Sequence, residues 1–223
     1  MARPVKELFD IHAFVKSLRE EVLRFGTPVV TEQASRDRDP YKILIATIIS
    51  LRTKDQVTDE ASQRLFKAAD KPQRMIRLKP EKIAELIYPA GFYKTKAKRI
   101  IGISKEIIEK FNGGVPETID ELLTMKGVGR KTANLVVTEG FQKQGICVDT
   151  HVHRIFNRIG YVFTKTPEKT EFELRKKLPE DYWIEINTLL VSHGQNICHA
   201  VSPLCSRCGI SSFCKRIGVK RCR

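Results

Sequence analysis

Apolar residues recur at helical spacing along most of the chain, and no convincing pair of alternating strands appears. The segment from Asp10 to Phe25 carries apolar side chains three and four residues apart, and Gly26 follows as a predicted C-cap. Asp39 and Pro40 then combine a capping side chain with proline at a first helical position. The pattern predicts an all-α protein.

The helix predicted from Tyr41 to Leu51 is apolar on nearly every side. Such a helix is normally buried at the centre of a domain. Its isoleucines are also compatible with a buried strand, but the length of the segment and its flanking residues favour a helix.

Capping and turn residues divide the rest of the chain into further helices. Asp55 is predicted to cap a helix that reaches Ala69. The other predicted helices begin at Pro72, Pro80, about Thr95, Pro167 and Pro179, and one more follows Asp149 and runs to about Ile159, with Gly160 as its stop.

The segment Leu122–Val137, LLTMKGVGRKTANLVV, predicts a helix, a tight hairpin and a second helix. Residues 118–121, TIDE, have the spacing of a capping box before it. Gly127, Val128 and Gly129 allow a turn with positive φ, whose outward-facing N–H groups can hold a phosphate oxygen. This helix-hairpin-helix pattern is typical of DNA binding without sequence specificity.

Lys131 lies in the first turn of the second helix, where the helix dipole disfavours a cation. One interpretation is a solvated or phosphate-binding lysine. The other is an amine nucleophile, because the positive helix end and the neighbouring Arg130 make loss of the proton less costly. The segment alone does not decide between them.

Basic residues outnumber acidic ones, 40 to 26, which leaves a net charge of +14. This excess predicts a polyanionic partner, nucleic acid before membrane, with a generic basic protein as the alternative. From Ile186 onward the chain has no acidic residue. Its cations there are predicted to contact phosphates: Arg207, Lys215, Arg216, Lys220, Arg221 and Arg223.

The length of 223 residues suits one large domain or two small ones, and 41% hydrophobic residues exclude a disordered chain. The apolar run Ile43–Leu51 is too short to span a bilayer, and the N-terminal residues lack the apolar segment of a signal peptide. We therefore expect a cytoplasmic, nucleoid-associated protein in a reducing compartment.

Four of the six cysteines follow the pattern C-x6-C-x2-C-x5-C: Cys198, Cys205, Cys208 and Cys214. Four thiolates so close together would repel one another without a metal, so a metal centre is expected. Zinc is the general expectation for four cysteines, but the unequal spacing suits an iron–sulfur cluster at least as well.

Asp149 precedes a predicted helix and is a residue type expected at an N-cap. A capping carboxylate is held ionised by N–H donors, so it could also stabilise positive charge on a sugar carbon that Lys131 attacks. His151 and His153 are expected to lie on a helix face near DNA or in packing contacts, with acid–base catalysis as the alternative.

The hairpin with Lys131, the sequence VDTH around Asp149 and the cysteine spacing together resemble the endonuclease III family. These are DNA glycosylases and AP lyases of the helix-hairpin-helix-Gly/Pro-Asp superfamily. The resemblance extends from about Tyr41 to Cys214. It implies Lys131 as the nucleophile, Asp149 as the catalytic carboxylate and a [4Fe-4S] cluster on the four cysteines.

The resemblance also implies two all-α domains with a DNA groove between them. Residues 33–143 would form a six-helix barrel that contains the helix-hairpin-helix, and residues 1–32 with 144–223 would form the cluster domain. The implied partner is double-stranded DNA containing damaged bases or abasic sites, bound by a monomer.

Two implied DNA contacts depend on single side chains. Arg52 stands where family members often carry a glutamine that fills the gap left by the flipped base. Phe92 stands where a second, apolar wedge is expected, with core packing as the alternative. The full implied set of DNA contacts is Arg52, Phe92, Gly127, Val128, Gly129, Arg130 and His151.

The implied function is removal of oxidised pyrimidines such as thymine glycol, by attack of Lys131 at C1′ and β-elimination 3′ to the abasic site. One alternative is a relative that acts on mismatched thymine or uracil or on adenine; such relatives commonly lack the lysine. Two further alternatives are a non-catalytic helix-hairpin-helix protein with a structural metal and a redox sensor.

Overall fold

The computed structural model describes residues 9–25 and 38–223, and these residues form only helices and connecting loops. The chain divides into two compact units. One comprises Thr27–Cys147, and the other combines Met1–Gly26 with Val148–Arg223. Among the described residues, no helix combines the length and the low polarity needed to cross a bilayer.

Eleven α-helices are formed by the described residues. In chain order they are α1 (Ile11–Val22), α2 (Pro40–Ser50), α3 (Asp55–Ala68), α4 (Pro72–Met75), α5 (Pro80–Ile87), α6 (Tyr93–Lys110), α7 (Ile119–Thr124), α8 (Arg130–Leu135), α9 (Thr150–Ile159), α10 (Pro167–Lys177) and α11 (Glu185–Asn196). A π-helical turn, Val136–Gly140, continues α8, and 3₁₀ turns cover Glu180–Tyr182, Cys205–Arg207 and Ser211–Phe213. The predicted all-α fold is confirmed.

Helix α2 is buried along its length, as its uniformly apolar sequence predicts. Tyr41 and every residue from Ile43 to Ile49 are buried, and the hydroxyl of Thr47 donates to the carbonyl of Ile43 at 2.7 Å. The helix contacts α3, α6, α8 and the π-helical turn. It is therefore the centre of its unit, and the strand alternative is wrong.

The helix-hairpin-helix consists of α7, the loop 125–129 and α8. Thr118 caps α7 by accepting from the amide of Glu121 at 3.3 Å, as the capping-box spacing predicts. Val128 at the hairpin tip packs into the same core as α2, together with Ala133 and Val136. The hairpin is thus anchored from beneath by apolar contacts.

Two of the predicted helix starts are wrong in detail. Asp55 is the first residue of α3 rather than its cap, and Lys54 occupies the N-cap position without a side-chain bond. An acidic residue is favoured in the first turn as well as at the cap, so residue type alone could not separate the two positions. Pro179 precedes a 3₁₀ turn, and α11 begins only at Glu185. The predicted C-cap Gly26 lies outside the described residues.

The unit that carries the cysteines is built from α1, α9, α10 and α11. Phe14 of α1 lies among aromatic rings, with its centroid 6.2 Å from that of Phe156 and 5.9 Å from that of Phe213. Gly160 ends α9 with φ 79°, a left-handed conformation that glycine adopts without strain.

Asp39→Ala should lower the free energy of unfolding by about 1 kcal/mol, because Asp39 caps α2 by accepting from the amide of Tyr41 at 2.8 Å. Chemical denaturation measures the change. The matched control is Lys54→Ala, which alters an N-cap residue without a side-chain cap bond. Equal losses in the two variants would contradict this role of the carboxylate.

Candidate active site and metal centre

Lys131 is the second residue of α8 and its side chain is half-buried. The loop after α8 returns along the helix and is fixed to it by Asn134, which is fully buried. The side-chain oxygen of Asn134 accepts from the amide of Ile146 at 3.1 Å, and its amide group donates to the carbonyl of Arg130 at 3.0 Å. The thiol of Cys147 donates to the carbonyl of Lys131 at 3.6 Å.

Sequence reasoning missed Asn134 and Cys147 as residues that hold the backbone around Lys131. A signal for Asn134 was available, since it is the one amide side chain within the apolar stretch ANLVV. Buried amides are normally hydrogen-bonded, so such a residue predicts a partner nearby. Cys147 carried no comparable signal.

The hairpin exposes Gly127 and Gly129 and buries Val128. The amide of Val128 donates to the carbonyl of Met125 at 3.1 Å, which closes the turn. Gly127 has φ 89°, whereas Gly129 has φ −101° and ends the hairpin at the N-cap of α8. Arg130 follows as the first, half-buried residue of the helix. The first N–H groups of α8 have no partner within the helix, so this end favours an anion.

Asp149 is the N-cap of α9, as predicted, and it lies in the other compact unit from Lys131. One of its carboxylate oxygens, Oδ1, accepts from the amides of His151 at 2.8 Å and Val152 at 2.9 Å. These bonds orient a half-buried carboxylate at the helix end. The predicted N-cap role is confirmed.

The two histidines after Asp149 have different surroundings. Nδ1 of His153 lies 2.7 Å from the hydroxyl of Thr170, and burial lowers the pKa of this imidazole. His151 lies 3.0 Å from Nη2 of Arg154, which also donates to the carbonyl of Cys198 at 2.7 Å. His153 is thus a packing residue, and His151 is linked through Arg154 to the first cysteine.

The four predicted cysteine ligands line one cavity, together with isoleucine side chains from α9 and the loop after α11. Arg158, which is buried, donates to Sγ of Cys198 at 3.2 Å. It also donates to the carbonyls of His199 and Ala200, both at 2.7 Å. Its guanidinium therefore holds the loop that follows Cys198 while it faces the sulfur atom.

A second buried basic residue, His193, lies against the sulfur atoms of Cys198 and Cys208. Nδ1 of His193 lies 2.5 Å from a carboxylate oxygen of Glu21, whose other oxygen accepts from the amide of Gly209 at 2.6 Å. Burial disfavours a charged imidazole, but hydrogen bonds with Cys198, Cys208 and Glu21 raise the pKa of His193 to about 11. The imidazole is therefore a cation at neutral pH.

These donors make the cavity suitable for thiolates. Burial acts to raise the pKa of the Cys198 thiol, but hydrogen bonds from His193 and Arg158 outweigh it and lower that pKa. Burial raises the pKa of the Cys205 and Cys214 thiols, so these donors favour ionisation only on the Cys198 side of the cavity. A bound metal would hold all four cysteines as thiolates, which fits a thiolate-bound metal centre. Potential ligand atoms of Glu21, His193 and Cys208 also lie within 4.8 Å of one another, but the acid and the imidazole already pair with each other.

Arg52 and Phe92 are both exposed and lie side by side. The carbon Cζ of Arg52 is 5.5 Å from the centre of the Phe92 ring, within the range of a cation–π contact. Phe92 is 62% exposed, so the alternative of core packing is wrong. Both residues have positive φ, 54° and 58°, which is uncommon for residues other than glycine.

Comparisons with a family model and with known proteins identify the same family. Residues 45–180 match the family model described as HhH-GPD superfamily base excision DNA repair protein. The chain is 47% identical over 180 residues to endonuclease III of Thermotoga maritima, covering 81% of this chain and 84% of that protein. It is 40% identical to the chloroplastic endonuclease III homolog 2 of Arabidopsis thaliana, covering 78% of this chain but only 47% of that longer protein.

A solved structure of a trapped covalent intermediate between an endonuclease III and DNA, an estranged-adenine complex, has the same fold. It superimposes with a TM-score of 0.83 at 30% identity, covering 92% of this chain and 94% of that one. This chain belongs to the HhH-GPD superfamily of base excision DNA repair proteins. The predicted resemblance and the predicted class, DNA glycosylase and lyase, are confirmed.

Gly127→Ala should lower the free energy of unfolding by about 1–2 kcal/mol, because alanine is strained at φ 89°. Gly129→Ala is the matched control, since its φ is −101° and an added Cβ would meet nothing within 4 Å. Its stability should stay within about 0.5 kcal/mol of the wild type. Denaturant titration compares the two variants, and an unchanged Gly127→Ala protein would refute the strain argument.

Proposed function

We propose that this chain is a bifunctional DNA glycosylase and AP lyase that removes oxidised pyrimidines, such as thymine glycol, from duplex DNA. The observation that carries the proposal is Lys131, a half-buried amine in the first turn of α8, directly after the exposed hairpin glycines. The family membership supports the reaction class, and the lysine supports a covalent mechanism.

Binding begins at the DNA backbone. The amides of Gly127 and Gly129 and the N-terminal end of α8 hold a phosphate, and the exposed cations of the C-terminal segment add phosphate contacts. The damaged nucleotide is extruded from the helix, which costs less for a base that stacks and pairs poorly. Arg52 and Phe92 fill the space that it leaves.

The protein acts as a monomer on chromosomal DNA in the cytoplasm.

The chemistry then occurs at the sugar. The neutral amine of Lys131 forms a bond to C1′ while the bond between C1′ and the base nitrogen breaks, and the base leaves with a proton. Opening of the sugar ring gives a protonated Schiff base. Loss of a 2′ hydrogen then expels the 3′ phosphate, and water releases the unsaturated aldehyde and restores the lysine.

Asp149 supplies the negative charge that this sequence needs. Its carboxylate is oriented by the amides of His151 and Val152. It stabilises the positive charge that develops on the sugar and assists loss of the proton from Lys131.

The four cysteines of the cavity would hold a [4Fe-4S] cluster. When bound, the cluster supplies structural cross-links rather than redox chemistry. Arg158 and His193 stabilise the thiolates, and Glu21 orients His193 from helix α1. Together, the cluster and these three residues would hold in place the loops from Cys198 to Cys214 and the basic segment that follows.

Lys131→Gln should abolish both base release and strand cleavage on a thymine glycol duplex, because glutamine cannot form the Schiff base. Borohydride trapping of the covalent protein–DNA adduct, read on a denaturing gel, measures the loss. Lys126→Gln is the matched control, since Lys126 is an exposed lysine on the other side of the same hairpin. It should trap DNA at close to the wild-type level.

Trapping by Lys131→Gln at the level of Lys126→Gln would refute the assignment of the nucleophile. A parallel panel of duplexes with thymine glycol, uracil opposite guanine and an abasic site defines the substrate. Release of uracil without thymine glycol would overturn the proposed specificity while leaving the lysine chemistry intact.

Protein purified without oxygen should contain about four iron atoms and about four sulfides per chain. Cys205→Ser should lose most of the iron. Cys147→Ser should retain it, because the Cys147 thiol donates to the backbone carbonyl of Lys131 instead. Metal analysis and the visible absorption spectrum measure both. One zinc ion per chain in place of iron would contradict the proposed cofactor.

A further inference from the structure

Lys96 is a buried lysine in the first turn of α6, with 4% of its surface exposed. Its Nζ donates to the carbonyl of Ile49 at 2.6 Å, to the carbonyl of Leu51 at 2.5 Å and to the hydroxyl of Thr53 at 2.8 Å. An ammonium group has three donors, so these three acceptors use all of them. The acceptors lie at the end of α2 and in the loop that follows it.

None of these three acceptors is an anion, so they do not neutralise the charge of Lys96. Burying a charge without an opposite charge is costly. Burial, with a smaller contribution from Arg99, lowers the pKa of Lys96 to about 8, which leaves most of the group charged at neutral pH. A side chain selected only to fill this volume would be apolar. The ammonium is better explained by what its hydrogen bonds hold in place.

The hydrogen bonds of Lys96 hold the loop that carries Arg52. Leu51 and Thr53, on either side of Arg52, both accept from Nζ. The φ of Arg52 is 54°, a conformation that persists only when the surrounding structure imposes it. Lys96 therefore binds the residues on both sides of the strained residue, Leu51 through its carbonyl and Thr53 through its hydroxyl.

The same network reaches the turn that carries Phe92. The hydroxyl of Thr53, which accepts from Lys96, also accepts from the amide of Gly91 at 3.1 Å. A Cβ on Gly91 would lie 2.4 Å from the carbonyl oxygen of Arg52, so the two backbones touch. Phe92 follows with φ 58°, and its ring lies beneath the Arg52 guanidinium. One ammonium thus links both exposed wedge residues.

We propose that Lys96 is a positioning residue that holds Arg52 and Phe92 in the orientation in which Arg52 contacts the base opposite the extruded nucleotide. The inference rests on the proposed function, because it requires that Arg52 enters the DNA. Lys96 itself touches neither the substrate nor the reacting atoms. Its effect is on selectivity for the opposite base rather than on the Schiff-base chemistry of Lys131.

The test compares Lys96→Met with Arg52→Ala. Each variant is assayed for kcat/KM on thymine glycol opposite adenine and opposite guanine. Opposite-base discrimination is measured by the discrimination ratio, which is the kcat/KM for the opposite base that the wild type prefers divided by the kcat/KM for the other. Arg52→Ala should lower the ratio by about tenfold, and Lys96→Met should lower it by a similar factor. The double variant should lose no more than either single variant, because both changes remove the same contact. Lys98→Met, an exposed lysine on the same helix, should keep the wild-type ratio.

Borohydride trapping on a single-stranded abasic oligonucleotide separates positioning from folding and chemistry, since it requires Lys131 but no opposite base. Lys96→Met should retain this trapping. If Lys96→Met does not fold, Thr53→Val is the deciding variant. It removes the hydroxyl that accepts from both Lys96 and Gly91 and keeps the side-chain volume. It should lower the discrimination ratio in the same direction.

Suppose that Arg52→Ala lowers the discrimination ratio. The inference is then overturned if folded Lys96→Met keeps the wild-type ratio, or, where that variant does not fold, if Thr53→Val keeps it. A wild-type ratio in Arg52→Ala would also overturn the inference, because it would show that Arg52 does not contact the opposite base. The proposed chemistry of Lys131 would be unaffected. Failure of the wild-type protein to trap abasic DNA would instead overturn the proposed function.

Discussion

Helix α2 is apolar on nearly every side and is buried from Ile43 to Ile49, and this constraint organises the unit around it. Helices α3, α6 and α8 must cover it, so the second helix of the hairpin motif becomes part of the core. The end of such a helix presents carbonyl groups that need donors. Lys96 donates to two carbonyls there, which joins the burial of the core to the geometry of the exposed loops.

The hairpin that carries Lys131 depends on the same core. Val128 is buried beneath the turn, so the glycines on either side are held at the surface by an apolar anchor. Asn134 then fixes the returning loop to α8 through buried hydrogen bonds. The nucleophile proposed here is therefore positioned by apolar packing beneath the hairpin and by the hydrogen bonds of Asn134 and Cys147.

The cysteine-bearing unit solves a different problem, because it gathers thiol groups that repel one another once ionised. Arg158 and the charged His193 offset this repulsion, and Glu21 holds the imidazole. The sequence interval between Glu21 and His193 is long, so their pairing depends on α1 packing against α11. The cysteine spacing in the sequence shows none of these three residues.

The sequence by itself determined the helices, their caps at Asp39 and Asp149, the hairpin and the four cysteines. These features depend on neighbours a few residues apart, where periodicity and capping rules apply directly. Only the tertiary structure decided that Phe92 is exposed and that Lys96 is buried and bonded to the residues on either side of Arg52. From the sequence alone, Lys96 would be predicted to be a solvated helix residue. The carbonyls that accept from it belong to a segment more than forty residues away, so local patterns do not show them.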